Sequence, residues 1–427
     1  MDDKLLVRVY NVGCGDCILL RVPDEDRVYH LLIDCGNFFG ESSKPLKSAV
    51  QDIVQIASED TPEGPARLDL LVATHKHYDH LRGYDPDILE PLEIERIWLS
   101  VAMDENHPQA TGLRGLQSFV EHSVQSLQAA GLQLDEGLHA FVMNGLSTEA
   151  TTRALCNSLP QKHGIEPLFA YRGCELELSD DQRAAQLLSF KDPSIKLHVL
   201  APEKDIDASY MHHAGTVMGT VDAHRHDTTH SEGEGLHGSE RWPENISRYD
   251  YERLRAGLMQ AGLAAASASN HVTNNTSVVL LLEWRGRRLL FPGDAQWGYQ
   301  EDPEGSWEIM WAKERDRLDQ PLDFLKVGHH GSVNATPWNP EDPTDAINDI
   351  LDALLPLPKP GEKPTAEAAV STRVSKIIYN PKLMAELGKR VANPREYPDE
   401  QPYEQQPWRT DKENDPWLDF LFPPGAQ

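Results

Sequence analysis

Short apolar runs separated by glycine, proline and acidic turns fill the N-terminal part of the chain. Leu5 to Tyr10, Cys17 to Val22 and Val28 to Asp34 read as three strands, with breaks at Gly13, Gly15 and the turn Pro23-Asp24-Glu25-Asp26. From Lys44 to Ser58 the period changes, and Leu46, Val50, Ile53, Val54 and Ala57 fall on one helical face. A strand over residues 68–74, a short helix near Asp87 to Leu89 and a strand from Glu95 to Ser100 follow. This alternation predicts an α/β sandwich in which the loops at strand ends carry chemistry.

Residues 101–171 read as a helical insertion. Leu113, Leu116, Val120, Val124 and Leu127 have helical spacing, and a second helix is expected between Ser147 and Leu159. Strand patterns return at Cys174 to Leu178 and Ile195 to Leu200. Residues 203–270 form a polar insertion in which His212, His213, His224, His226, His230 and His237 lie among glycines and acids. Their irregular spacing predicts a mobile surface loop, placed to act as a lid, rather than a built metal site.

Core-like patterns resume with Thr276 to Trp284, Arg288 to Phe291, a helix from Glu308 to Leu318 and the strand Phe324 to Val327. We read residues 1–340 as one domain and 341–427 as a C-terminal extension. The extension carries a helix from Ala346 to Leu355, a linker from Pro356 to Pro364 and the apolar stretch Trp417 to Phe422, which is expected to pack on the body.

The strand at 68–74 delivers the run Thr74-His75-Lys76-His77-Tyr78-Asp79-His80. Alternate residues of an extended segment point the same way, so His75 and His77 can grip one ion together. Asp79 and His80 fall on the turn that follows, placed to hold a second ion or to orient a water. Neutral imidazole and carboxylate are ligands that zinc, manganese and iron accept. Two later segments repeat the logic of an apolar strand ending in ligands: Leu289 to Asp294 and Leu325 to His330.

A chain of 427 residues with 39% apolar and 25% charged positions has room for one large core or two modest ones. No apolar run reaches the length of a membrane span, and Met1-Asp2-Asp3-Lys4 does not open a signal peptide. Five scattered cysteines give no disulfide framework, and Cys14-Gly15-Asp16-Cys17 reads as small buried thiols. A cytoplasmic protein is expected. The net charge of −28 disfavours a long duplex substrate, although metal ions can neutralise a reacting phosphate locally.

Taken in order, these segments resemble the metallo-β-lactamase fold superfamily, and most closely the metallo-β-lactamase-like domain of ComEC-type competence proteins. The blocks that carry the resemblance are Asn11-Val12-Gly13-Cys14-Gly15-Asp16, Leu32-Ile33-Asp34-Cys35-Gly36, the histidine run, Asn274 to Leu280, Phe291 to Ala295 and Lys326 to Ser332. They cover about residues 5–100 and 172–340. The resemblance implies an αββα sandwich, here with a helical insertion, a His-rich loop and a C-terminal extension. It also implies a hydrolase using a metal-activated hydroxide, in the first place a phosphodiesterase or nuclease acting on nucleic acid or nucleotide. The alternatives are an ester, thioester or lactam hydrolase on the same site, or an effector subunit with mainly structural metals whose insertions dock a protein partner. The membrane channel of competence proteins has no counterpart, so DNA uptake is not implied.

Residue by residue, the resemblance makes His75 and His77 ligands of one Zn²⁺ or Mn²⁺ ion, with Asp79 and His80 serving a second and Asp294 bridging. His330 or the adjacent His329 completes the second site. Asp79, His80 and Asp294 form the catalytic set, with Asp79 orienting the hydroxide. Asp34 braces the histidine loop; Lys326 either contacts a phosphate or lies in solvent, and Ser332 and Asn334 are candidates to line the pocket. The third histidine that the family usually gives the first metal falls where this chain reads Asn270-His271-Val272-Thr273-Asn274-Asn275. His271 is the candidate there; without it the first site is weaker or open.

Overall fold

The computed structural model of the protein describes residues 3–129, 136–211, 248–298, 305–332, 334–371, 380–392 and 416–425. The strands, in chain order, are β1 (Leu5–Tyr10), β2 (Cys17–Pro23), β3 (Val28–Cys35), β4 (Arg67–Leu68), β5 (Leu70–Ala73), β6 (Glu93–Ile94), β7 (Ile97–Ser100), β8 (Leu168–Ala170), β9 (Lys196–Ala201), β10 (Val279–Trp284), β11 (Arg287–Phe291), β12 (Phe324–Val327), β13 (Glu367–Val370) and β14 (Trp417–Phe422). They form a seven-stranded sheet in the order β14-β1-β2-β3-β5-β7-β8, a five-stranded sheet in the order β13-β12-β11-β10-β9, and the small pair β4-β6. Both large sheets are mixed. In the first, β1 to β3 form an antiparallel meander, whereas β3, β5, β7 and β8 run parallel.

The strands are apolar on both faces, which is what a sheet covered on both sides requires. One set of faces meets in a shared cluster: Leu5, Val7, Ile18, Leu20, Leu31 and Ile33 from the first sheet lie with Leu280, Leu282, Leu289, Phe291 and Phe324 from the second. The alternate residues face outward. Leu19, Leu32 and Leu71 pack against Leu46, Val50 and Ile53 of helix α1 (Lys44–Asp60). Leu281, Leu290 and Leu325 pack against Trp307, Met310, Ile350, Leu351 and Leu387, which lie on the helices Ser306–Lys313, Asn348–Leu354 and Pro381–Arg390. The result is helix, sheet, sheet, helix, a mixed α/β architecture. Burial of each large apolar side chain contributes about 1.5–3 kcal/mol.

Several expectations change. The segment around Asp87 to Leu89 is turn rather than helix; the helical turns come earlier, in α2 (Tyr78–Leu81) and Arg82–Tyr84. Cys174 to Leu178 is not a strand. Gly173 at φ 80° starts a 3-10 turn over Cys174–Leu176 that buries Cys174 and leaves Leu176 75% exposed. The insertion over 101–171 holds helices α3 (Thr111–Ala129) and α4 (Glu136–Leu146), but its end, β8, joins the first sheet beside β7.

The polar insertion is also not all loop, because Arg248–Asn275 is one long helix lying along α3. Its alanines, Ala265, Ala266 and Ala268, are good helix formers and small enough to let the two helices approach. The six clustered histidines from His212 to His237 lie outside the described residues. At the other end, β14 pairs antiparallel with β1, from Leu5↔Phe422 to Tyr10↔Trp417. None of the described helices is long and apolar enough to cross a membrane.

Phe420 of β14 is 5% exposed and packs against Phe324 with the ring centroids 4.9 Å apart, so it ties the edge strand to the cluster between the sheets. Phe420→Ala should lower unfolding stability by about 3–5 kcal/mol, read from denaturant midpoints; a loss within the error of the measurement would show that β14 is not part of the cooperative core.

Candidate metal centre

Five strand ends converge on one buried spot. Asp34 is the last residue but one of β3, Thr74 and His75 follow β5, Asp294 follows β11 through Pro292-Gly293, His329 and His330 follow β12, and Ser277 precedes β10. Asp79 and His80 come from α2. Backbone geometry explains the small residues of the first motif. A Cβ on Gly15 would fall 2.3 Å from the Gly36 carbonyl oxygen and 2.7 Å from that of Asp79, and one on Gly36 would fall 2.3 Å from the Asp79 carbonyl carbon. Only glycine lets these loops close on the Asp79 main chain, where the Asp16 N–H donates to the Asp79 carbonyl at 3.1 Å.

Asp34 organises the turn. Its Oδ1 accepts from the Thr74 N–H at 2.8 Å, and its Oδ2 from the Thr74 hydroxyl at 2.7 Å. The same Oδ2 lies 2.8 Å from His80 Nδ1. That contact uses Nδ1 and leaves His80 Nε2 facing inward, 3.3 Å from Asp294 Oδ1. His75 Nδ1 is met by the Thr74 and Ser277 hydroxyls at 3.0 and 3.3 Å, so its Nε2 faces His77 Nδ1 at 3.0 Å and Asp294 Oδ2 at 3.5 Å. Two nitrogens bound at about 2.1 Å to one tetrahedral ion lie about 3.4 Å apart, close to this spacing. On the other side, His330 Nε2 lies 3.0 Å from Asp79 Oδ2, while His330 Nδ1 is 2.7 Å from the Ser371 carbonyl.

Two overlapping groups therefore have the spacing to hold a cation: His75, His80 and Asp294, and Asp79, His80 and His330. A third combines Asp16, Asp34 and His80. Asp34, His329 and His330 all have positive φ (54°, 41° and 55°), and such non-glycine strain gathers where a site over-determines its backbone.

The electrostatics fit a cation. Asp16, Asp34, Asp79 and Asp294 are each at most 3% exposed, and the ammonium among them, Lys326, is 1% exposed. Four carboxylates share one ammonium, and the remaining negative charge is met by His80 and His330, whose imidazoles are raised above their ordinary range, in a medium that tolerates charge only when paired. Burial pushes the Asp294 carboxyl up, but His80, His329 and His75 outweigh it and hold it well below the usual range. Burial likewise opposes charge on His80, yet Asp294, Asp34 and Asp79 raise it well above an ordinary imidazole. Burial lowers His77 to about 4, so its imidazole is neutral near pH 7. Among the described residues, His80 Nε2 and Asp294 Oδ2, both in the cation-holding groups, are buried with no hydrogen-bond partner. A divalent ion would answer both the enclosed negative charge and the lone pairs presented around it.

The remaining predicted residues divide. His329, 27% exposed at its side chain, points Nε2 to within 3.9 Å of Asp294 but engages Ser332 and Gln296 through Nδ1 at 2.9 and 3.1 Å. Ser332 thus supports His329. His271 lies in the helix Arg248–Asn275 with Nε2 3.2 Å from the Asn275 amide, and belongs to none of the cation-holding groups. Lys326 is neither in solvent nor free for a phosphate, because its Nζ is 2.8 and 3.0 Å from the two Asp16 oxygens. Asn144, whose Nδ2 donates to Asp79 Oδ1 at 2.7 Å, is a member that sequence reasoning missed. Cys14 and Cys17 are buried thiols, with Cys17 Sγ 3.7 Å from Cys35 Sγ.

No known protein-family profile matches this chain, and no curated protein matches it at a significant level.

His330→Ala should lower Zn²⁺ affinity by at least about 10-fold and more than His329→Ala does, measured by competition with a chromophoric chelator; the reverse order would move the ligand assignment to His329. Asp34→Ala frees His80 Nδ1 and the Thr74 N–H together and should weaken binding about 10–100-fold. Unchanged affinity in that variant would show that the turn holds itself.

Proposed function

We propose that the protein is a metal-dependent hydrolase with the αββα layering of the metallo-β-lactamase superfamily. The observation that carries the reading is the meeting of His75, Asp79, His80, Asp294 and His330 in two overlapping groups with the spacing to hold a cation, with His77 Nδ1 beside them at 3.0 Å from His75 Nε2. His75, His77 and Asp294 would hold one ion, and Asp79, His80, His330 and Asp294 a second, with zinc or manganese suited to these donors. Such ions supply Lewis acidity and a lowered water pKa at the reacting centre. The chain's own side chains do the rest. Asp34 holds His80 through Nδ1, and the Ser371 carbonyl does the same for His330, so both rings turn Nε2 inward. Asp79 is kept ionised against its burial by His80 and His330, which lets it orient a water by accepting a hydrogen bond.

The sequence blocks shared with ComEC-type domains favour phosphodiester substrates, and the net charge of −28 favours short, single-stranded or small ones. One observation favours a second reading, hydrolysis of a carboxylic ester, thioester or lactam: Lys326, the cation nearest the last ligands in sequence, is committed to Asp16 and does not offer a phosphate clamp.

Purified protein loaded with Mn²⁺ or Zn²⁺ is expected to cleave bis-p-nitrophenyl phosphate and single-stranded DNA faster than duplex DNA. Asp79→Ala and Asp294→Ala should each lower the rate by at least about 100-fold. Turnover of p-nitrophenyl acetate or a chromogenic lactam alone selects the second reading. Full metal occupancy with no turnover of any ester or amide overturns the hydrolase.

A further inference from the structure

The helical insertion enters the metal centre through one side chain. Helix α4 packs on the ligand-bearing turn α2, and Asn144 in its last turn donates from Nδ2 to Asp79 Oδ1 at 2.7 Å. An ionised carboxylate can only accept, so Asp79 fixes which end of the amide faces it. Asn144 is 8% exposed and its Oδ1 has no hydrogen-bond partner among the described residues. A buried amide left half-satisfied is costly, so the bond to Asp79 is what holds this side chain in place.

The next residue keeps the helix close. A Cβ on Gly145 would fall 2.6 Å from Asn270 Oδ1 and 4.0 Å from His77 Cδ2. Elsewhere on the same helix, the His139 ring packs edge-on against Phe39 at 6.0 Å, and Phe39 against Tyr78 at 5.6 Å. Helix α4 is thereby seated over the run that carries both ligand pairs.

We infer that Asn144 is a positioning residue of the metal centre, holding Asp79 Oδ1 so that Oδ2 alone is presented beside His330. The inserted helix is then part of the geometry of the second ion site rather than an ornament on the edge of the core. This rests on the reading of the His/Asp cluster as a metal centre, and not on the reaction performed there. Without the amide N–H, Asp79 can rotate about χ2 and offer both oxygens, which changes the coordination number as well as the affinity.

The test is a Co²⁺ titration of the metal-free full-length protein, followed by visible absorption. Asn144→Ala and the near-isosteric Asn144→Leu are expected to weaken Co²⁺ binding about 10–100-fold and to alter the absorption of the bound ion. His139→Ala, which loosens the seating of the same helix without touching Asp79, should weaken binding by less than either Asn144 variant and leave the absorption of the bound ion unchanged. Wild-type affinity and spectrum in both Asn144 variants overturns the inference, as does a His139→Ala variant with the same defect, which would assign the effect to helix packing. Wild-type protein that takes up Co²⁺ but hydrolyses nothing removes the hydrolase reading and leaves this comparison decisive. Wild-type protein that takes up no Co²⁺ overturns both.

Discussion

Enclosed negative charge is the constraint on which the rest of the structure depends. Asp16, Asp34 and Asp294, at or beside strand ends, and Asp79 on α2 sit almost out of contact with water, and each is tied to something specific. Asp16 holds Lys326, Asp34 holds the Thr74 turn and His80, Asp79 lies between His330 and Asn144, and Asp294 faces His75 and His80. Carboxylates buried in this way are tolerated only when their partners are fixed, so the loops carrying them cannot vary independently. The glycines at positions 15 and 36 and the left-handed residues at 34, 329 and 330 follow from that demand.

The apolar framework serves the same end. Two sheets, each covered by helices on its outer face, place the C-terminal ends of β3, β5, β11 and β12 at one edge of the shared cluster. Parallel neighbours bring their loops out on the same side, which is why ligands far apart in the chain meet. His330 reaches Asp79 across 251 residues. The helical insertion then closes over this edge and brings Asn144 to Asp79, with Asn270 of the long helix Arg248–Asn275 packed beside Gly145.

Much of this was legible from local pattern. The strands β1 to β3 and helix α1 announce themselves by period and by turn residues, and His75 to His80 by their spacing after an apolar strand. Each of these signals lies within a few residues of sequence. Cys174 to Leu178 imitated a strand because alternation over so short a stretch does not distinguish a strand from a turn that buries one residue and exposes the next. His271 was drawn in by its place before β10, but the helix runs on through Asn275 and turns the imidazole toward that residue. Asn144 left no trace, because its role depends on where an inserted helix docks, and helical periodicity reports which face is apolar rather than what one polar residue at its end will touch. The Asp16–Lys326 pair was hidden in the same way, by the 310 residues between its members.

The pairing of β1 with β14 carries a consequence for how the molecule comes into being. Arg8 and Asp419, partners across that pair, are 411 residues apart, so β1 is synthesised long before the strand that covers its edge. Until then one edge of the meander stays open, with the row of unsatisfied backbone groups that invites wrong pairing. Closure at such separation is slow relative to local contacts. The acidic chain offers some protection in the interval, since like charge keeps neighbouring nascent molecules apart while their edges are bare.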